Sequence, residues 1–246
     1  MSDIISINDF SMRFGDVSVI DKLSFAVKEG ETFGLLGSNG SGKTTTIRAL
    51  LGIYPPTSGN LLVGGAPYSV AGGVKLGYLP EERGLYKKES VIDTMVYFGQ
   101  LKGLARDEAR RQALAFLERV GLDNKARTQL DKLSGGQQQK VQLGITIMAD
   151  PELLILDEPT KGFDPVNRRL LMTIIEDHQK KGATVVLVTH QMEEVERLCD
   201  RIILLKDGQA AAYGTVKDVR KKHGGKSLDD IFVSIYGGEG KEDENA

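Results

Sequence analysis

Eight consecutive residues restrict this chain more than any others. Gly37-Ser38-Asn39-Gly40-Ser41-Gly42-Lys43-Thr44 fits the spacing G-x-x-x-x-G-K-[S/T]. The apolar stretch 32–36 precedes it, and a helically spaced stretch, 45–51, runs on to Gly52. A strand, a glycine-rich loop and a helix in that order give the motif its structural context. The glycines let the backbone curl so that successive N–H groups, those of Ser38, Asn39, Gly40, Ser41, Gly42 and Thr45 among them, face phosphate oxygens. The start of the following helix adds the positive end of its dipole. Lys43 brings a point charge to the outer phosphates, and Thr44 brings a hydroxyl for a divalent cation.

A second feature lies over a hundred residues further on. Leu153-Leu154-Ile155-Leu156-Asp157-Glu158-Pro159 reads as a buried strand ending in two carboxylates. Ligands of α/β sheets sit at strand ends. Asp157 is placed to hold a divalent cation, and Glu158 to polarise an attacking water. Further apolar runs at 184–188 and 202–205 have the unbroken character of strands covered on both faces. Residues 4–14 and 23–27 read as strands near the N-terminus, 54–73 as turns and short strands, and 76–79 as another strand. From residue 91 to 149 the pattern is mostly helical, and the helix at 107–120 stops at Gly121. The expected fold is α/β: a parallel or mixed sheet between helices with antiparallel N-terminal strands, the core formed by about residues 1–80 and 151–236, and a helical subdomain inserted at about 81–150.

Composition limits the class. Lys+Arg 32 against Asp+Glu 34 gives a net charge of −2, which argues against a basic nucleic-acid binder. Hydrophobic residues at 40% and charged residues at 27% fit a globular protein. The single Cys199 has no internal disulfide partner, as fits a reducing cytosol. No apolar run approaches the roughly 18–20 residues that span a bilayer. The first residues, MSDIISINDF, lack the basic and apolar pattern of a leader, so none is expected. The acidic tail 237–246 reads as disordered.

Leu133-Ser134-Gly135-Gly136-Gln137 precedes a helix expected at 138–148; Ser134 can cap it, and the paired glycines offer N–H groups to an anion. A lone His190 follows the strand VVLVT. His178 and His223 have no such setting and read as ordinary structural residues.

The four elements GSNGSGKTT, LSGGQ, LLILDEP and VVLVTH, in this order, resemble the nucleotide-binding subunit of ABC transporters across residues 4–237. LSGGQ sets that family apart from other P-loop NTPases. The resemblance implies an ATPase using ATP and Mg2+, in which two copies (or this chain and a related ATPase) meet head to tail. ATP then lies between the phosphate loop of one copy and Ser134, Gly135, Gly136 and Gln137 of the other. It implies that His190 hydrogen-bonds the γ-phosphate and that Phe14 stacks on adenine. Asp164, in Lys161-Gly162-Phe163-Asp164-Pro165, matches the loop that crosses to the partner, where a small residue and a leucine are usual at positions 161 and 163. Glu81, in Leu79-Pro80-Glu81-Glu82-Arg83-Gly84-Leu85-Tyr86, stands where the family usually has Gln, and inherits a magnesium role with Thr44 and Asp157.

The same PEERGLY stretch resembles ATPases of ABC-2-type exporters, as does Ser227-Leu228-Asp229-Asp230-Ile231-Phe232-Val233. The expectation is a subunit held on the cytoplasmic face of the membrane by a separate permease, with Gly84, Leu85 and Tyr86 lining the contact. The alternatives are an ABC ATPase that moves no solute, as in iron–sulfur assembly, and a non-catalytic regulatory subunit. PEERGLY argues against the first, and the intact Lys43, Asp157, Glu158 and His190 against the second.

Overall fold

The computed structural model describes residues 2–70, 73–82, 84 and 88–237. Arg83, Leu85, Tyr86 and the tail beyond Gly237 lie outside the described residues. Contacts divide the chain into two units, Met1–Val74 with Thr184–Ala246, and Lys75–Ala183.

The first unit opens with strands β1 (Asp3–Phe14) and β2 (Val17–Lys28), paired antiparallel from Asp3 opposite Lys28 to Phe14 opposite Val17. β2 runs six residues further toward the N-terminus than the expected 23–27. Asp21 and Lys22 break the apolar alternation there. Lys22 takes a left-handed backbone (φ 48) where its N–H donates to Ser11 Oγ at 3.0 Å, so the strand continues through a bulge that hydropathy alone reads as an end. β3 (Thr32–Gly37) is buried throughout and leads through the glycine loop into α1 (Lys43–Leu50). β4 (Ser58–Val63) completes a three-stranded antiparallel sheet by pairing with β1.

The second unit begins at β5 (Leu76–Leu79). Helices α2 (Val91–Leu101), α3 (Arg106–Arg119) and α4 (Gly135–Ile147) follow. Then come β6 (Leu153–Asp157), parallel to β5, and α5 (Pro165–Lys180). α4 starts three residues before the expected 138. Glycine is a poor helix former, but a capping box starts the helix at this pair. The Gln137 N–H donates to Ser134 Oγ at 3.3 Å, and the Ser134 N–H donates to Gln137 Oε1 at 3.0 Å. Lys102 closes the other end of α4, its ammonium donating to the Ile145 and Thr146 carbonyls at 2.6 Å each. His178 is buried in the last turn of α5, where burial, and then Lys181, push its pKa down.

The chain re-enters the first unit as β7 (Thr184–Thr189), followed by α6 (Met192–Leu198), β8 (Arg201–Lys206), β9 (Gln209–Thr215), α7 (Val216–Lys222) and α8 (Leu228–Tyr236). β3 lies between β7 and β8, parallel to both, and β9 is antiparallel to β8. The sheet is therefore mixed, as expected. Leu36, Met192, Val195, Ile202, Leu204, Val219, Leu228 and Ile231 form the core that fixes α6, α7 and α8 on it. That core holds the C-terminal edge of β3, and with it the glycine loop, in place.

Candidate functional site

In the first unit the phosphate loop is built around its own backbone. Lys43 is buried, and its ammonium donates to the carbonyls of Gly37 at 2.8 Å and Ser38 at 2.9 Å. The lysine thus folds back over the loop that it would serve. Gly42 precedes the helix at φ 103, a conformation that a side chain resists. Gly37 is needed for a different reason: a Cβ there would stand 2.7 Å from the Leu205 carbonyl oxygen. The Ser41 hydroxyl is buried with no hydrogen-bond partner among the described residues, a polar group available to an anion. α1 begins at Lys43, so Thr44 and Thr45 occupy its first turn, where orphan N–H groups point outward.

Phe14 closes β1. The residue is 47% exposed, and its ring meets Tyr54 edge to face, with centroids 5.5 Å apart. Tyr54 was not singled out from the sequence; forty residues separate the two rings, and neither carries a local signal for the other. His190 is exposed directly after β7.

In the second unit, β6 delivers Asp157 and Glu158, both buried. The backbone turns sharply at Glu158, which is left-handed (φ 49) although a proline follows. Such strain in a non-glycine residue marks a position that its surroundings over-determine. One of those surroundings is Gln139 of α4, whose amide donates to the Glu158 and Pro159 carbonyls at 3.1 and 3.0 Å. Sequence reading passed over Gln139, which is buried and polar on a helix whose neighbouring glutamines are partly exposed.

The loop after Glu158 brings in both unusual residues noted in the sequence. The Lys161 ammonium lies 2.6 Å from Glu81 Oε1. The hydrogen bond to Glu81 and its charge, then the carboxylates of Glu158 and Asp157, hold the Lys161 pKa above its ordinary value. Phe163 is buried against Gly136, where a Cβ would stand 3.2 Å from its ring carbon Cε1. Asp164 caps α5, accepting from the Val166 and Asn167 N–H groups at 2.9 and 3.0 Å. Hydrogen bonds from Asn167, backbone first, hold its carboxyl below the usual carboxylate range. The second unit thus brings Glu81, Ser134–Gln137, Asp157, Glu158 and Asp164 onto connected elements, while Phe14, residues 37–45 and His190 belong to the first.

The family model described as ABC transporter matches residues 20–161. The chain belongs to the ABC transporter family. An uncharacterised ABC transporter ATP-binding protein of Methanocaldococcus jannaschii is 44% identical over 90% of this chain and 81% of its own length. The linearmycin resistance ATP-binding protein LnrL of Bacillus subtilis is 36% identical over 94% of this chain and 75% of its own. A Nod factor export ATP-binding protein of Cupriavidus pinatubonensis is 35% identical over 97% and 73%. A solved ATP-binding subunit of an ABC transporter superposes with a TM-score of 0.86 at 30% identity, covering 94% of this chain and 99% of that one. This ABC chain is an ATP-binding subunit of the family, an ATPase whose fold is that of the family's P-loop core, and membership implies a membrane permease as its partner. No helix among the described residues is long and apolar enough to cross a membrane.

Proposed function

We propose that this ABC subunit hydrolyses Mg·ATP between two copies of the chain, or between this chain and a related ATPase, and that hydrolysis drives export through the permease. The similarity to linearmycin resistance and Nod factor export proteins over 94% and 97% of this chain carries the export reading. Docking on that permease would place the subunit on the cytoplasmic face of the membrane.

Within each site, Phe14 stacks on adenine and the loop 37–45 wraps the phosphates. Lys43 offsets charge on the outer phosphates. Thr44, Asp157 and Glu81 hold the magnesium ion of the substrate; hydroxyl and carboxylate oxygens are the donors that this hard cation takes. The Glu81 carboxylate already draws one cation, the Lys161 ammonium, to 2.6 Å of its Oε1. Glu158 takes the proton of the attacking water, and His190 holds the γ-phosphate. Positioning and charge stabilisation provide most of the acceleration, with about 10²–10⁴-fold from the general base. Ser134, Gly135, Gly136, Gln137 and Asp164 act on the nucleotide held by the opposite copy. The partition into a core, about residues 1–80 and 151–236, and a helical subdomain, about 81–150, belongs to the same reading.

Glu158→Gln tests it, because the amide keeps the shape of the carboxylate and loses its basicity. In saturating Mg·ATP this variant binds nucleotide, releases phosphate at least about 100-fold more slowly than the parent, and runs as a dimer by light scattering. A variant that remains monomeric there would count against the shared site. Export is tested separately: co-expressed permease should co-purify with the subunit and change its phosphate release.

A further inference from the structure

We propose that Lys161 is a positioning residue for Glu81: it holds and neutralises that carboxylate, so that the pair presents a polar but uncharged group to the triphosphate. The inference rests on the site reading given above.

A carboxylate at position 81 has a cost that an amide at the same position lacks. Together with Asp157 and Glu158 it sets three negative charges on the elements proposed to meet a polyanion, and like charges repel. Lys161 answers the charge that Glu81 adds. Its Nζ donates to Glu81 Oε1 at 2.6 Å, a short contact between an ammonium and a carboxylate, whose hydrogen bonds are shorter and stronger than those of neutral pairs. The bond engages one carboxylate oxygen, which leaves the other to accept elsewhere.

Both partners are fixed by backbone features of the same unit. Lys161 follows the turn in which its N–H donates to the Glu158 carbonyl at 3.2 Å. Glu81 follows β5, whose residues Leu76–Leu79 pair with Leu153–Leu156 of β6. The same two strands that register Asp157 therefore register the pair. The side chains are 58% and 44% exposed, and an ion pair this open adds little to stability. A purely structural purpose does not account for it. The two residues that depart from the family's usual pattern, Glu81 and Lys161, compensate one another.

Nucleotide binding read without hydrolysis separates the possibilities. ATP is titrated calorimetrically in EDTA, where no magnesium ion offsets the carboxylates, and again in excess Mg2+. Lys161→Met is expected to weaken binding about three- to tenfold in EDTA and much less in Mg2+. Raising the salt should shrink the defect as the repulsion is screened. Lys161→Arg should bind as the parent does. Lys161→Met combined with Glu81→Gln should also bind as the parent, because the charge to be neutralised is gone. Melting temperatures of all variants should match the parent, which a packing role for Lys161 would not allow. Lys43→Ala is the control for the site itself. If Lys43→Ala loses affinity while Lys161→Met binds like the parent in EDTA, the inference falls and the site reading stands. If the double variant is as weak as Lys161→Met alone, Lys161 acts on the phosphates directly and the inference also falls. If Lys43→Ala binds like the parent, the site reading is wrong and the inference goes with it.

Discussion

Lys43 donates from its ammonium to the Gly37 carbonyl, 2.8 Å away and at the opposite end of the eight-residue loop. The charge that the loop offers to a phosphate is thus held inside the curl of backbone that would surround it. Lys43→Ala removes this charge while leaving the glycines and the start of α1 in place. ATP affinity should fall at least about tenfold, the equivalent of about 1.4 kcal/mol. Isothermal titration checks it, and unchanged affinity would remove Lys43 from the phosphate site.

Phe14 is nearly half exposed and braced on one side by Tyr54. A large ring held this way keeps a face open to a planar partner. Phe14→Ala should weaken binding of a fluorescent ATP analogue about two- to tenfold, in line with about 0.5–1.5 kcal/mol for an aromatic pair. Phe14→Tyr should bind normally. Equal affinities for the parent and the alanine variant would place adenine elsewhere.

Gly136 and Phe163 are in contact, and a methyl group at 136 would press on the ring at 3.2 Å. That is a tight but yielding approach, and alanine favours the helix by up to about 1 kcal/mol over glycine. The two effects oppose, so Gly136→Ala should melt within about 4 °C of the parent. Its phosphate release should nevertheless drop at least tenfold, because the methyl group covers backbone offered to the opposite copy's nucleotide. Adding Phe163→Leu frees the ring contact. Recovery of activity in that double variant would show that packing, not phosphate approach, caused the loss.

How far the sequence could be read follows from the range of the interactions involved. β3 with its loop, and β6 with its two carboxylates, were legible because their signals are local: an unbroken apolar run, a fixed glycine spacing and a strand end. The capping of α4 by Ser134 was legible too, although the start of the helix was not, since the Ser134–Gln137 box works against the low helix propensity of two glycines. The N-terminal half of β2 was hidden by a bulge at Lys22, where hydrogen bonding to Ser11 outweighs hydropathy. Lys161 and Glu81 were each visible as unusual residues, but their pairing across 80 positions was not. It depends on β5 lying beside β6, a fact of tertiary register that no local pattern carries. The bracing of Phe14 by Tyr54 and of the Glu158 turn by Gln139 were hidden for the same reason.

Lys102 gives a prediction that is independent of nucleotide. It is part-buried at the end of α4, and burial lowers its pKa from the ordinary 10.5 to about 8. In the unfolded chain the amine stays protonated up to about 10.5. Between pH 8 and 10.5 the unfolded state therefore binds more protons than the folded state, and stability gains from rising pH. Below pH 8 both states are protonated and the full penalty of burying the charge is present. Above pH 8 the folded amine is neutral, and it still has N–H groups to donate to the Ile145 and Thr146 carbonyls. Lys102→Met has no proton to lose. Subtracting its urea-unfolding free energy from that of the parent at each pH cancels the titration of all other groups. The difference should be flat below pH 7 and then rise in the parent's favour across pH 8 to 10.5, at up to about 1.4 kcal/mol per pH unit. A difference that stays level through this window would mean that the carbonyls at the end of α4 hold the ammonium charged, their attraction outweighing its desolvation.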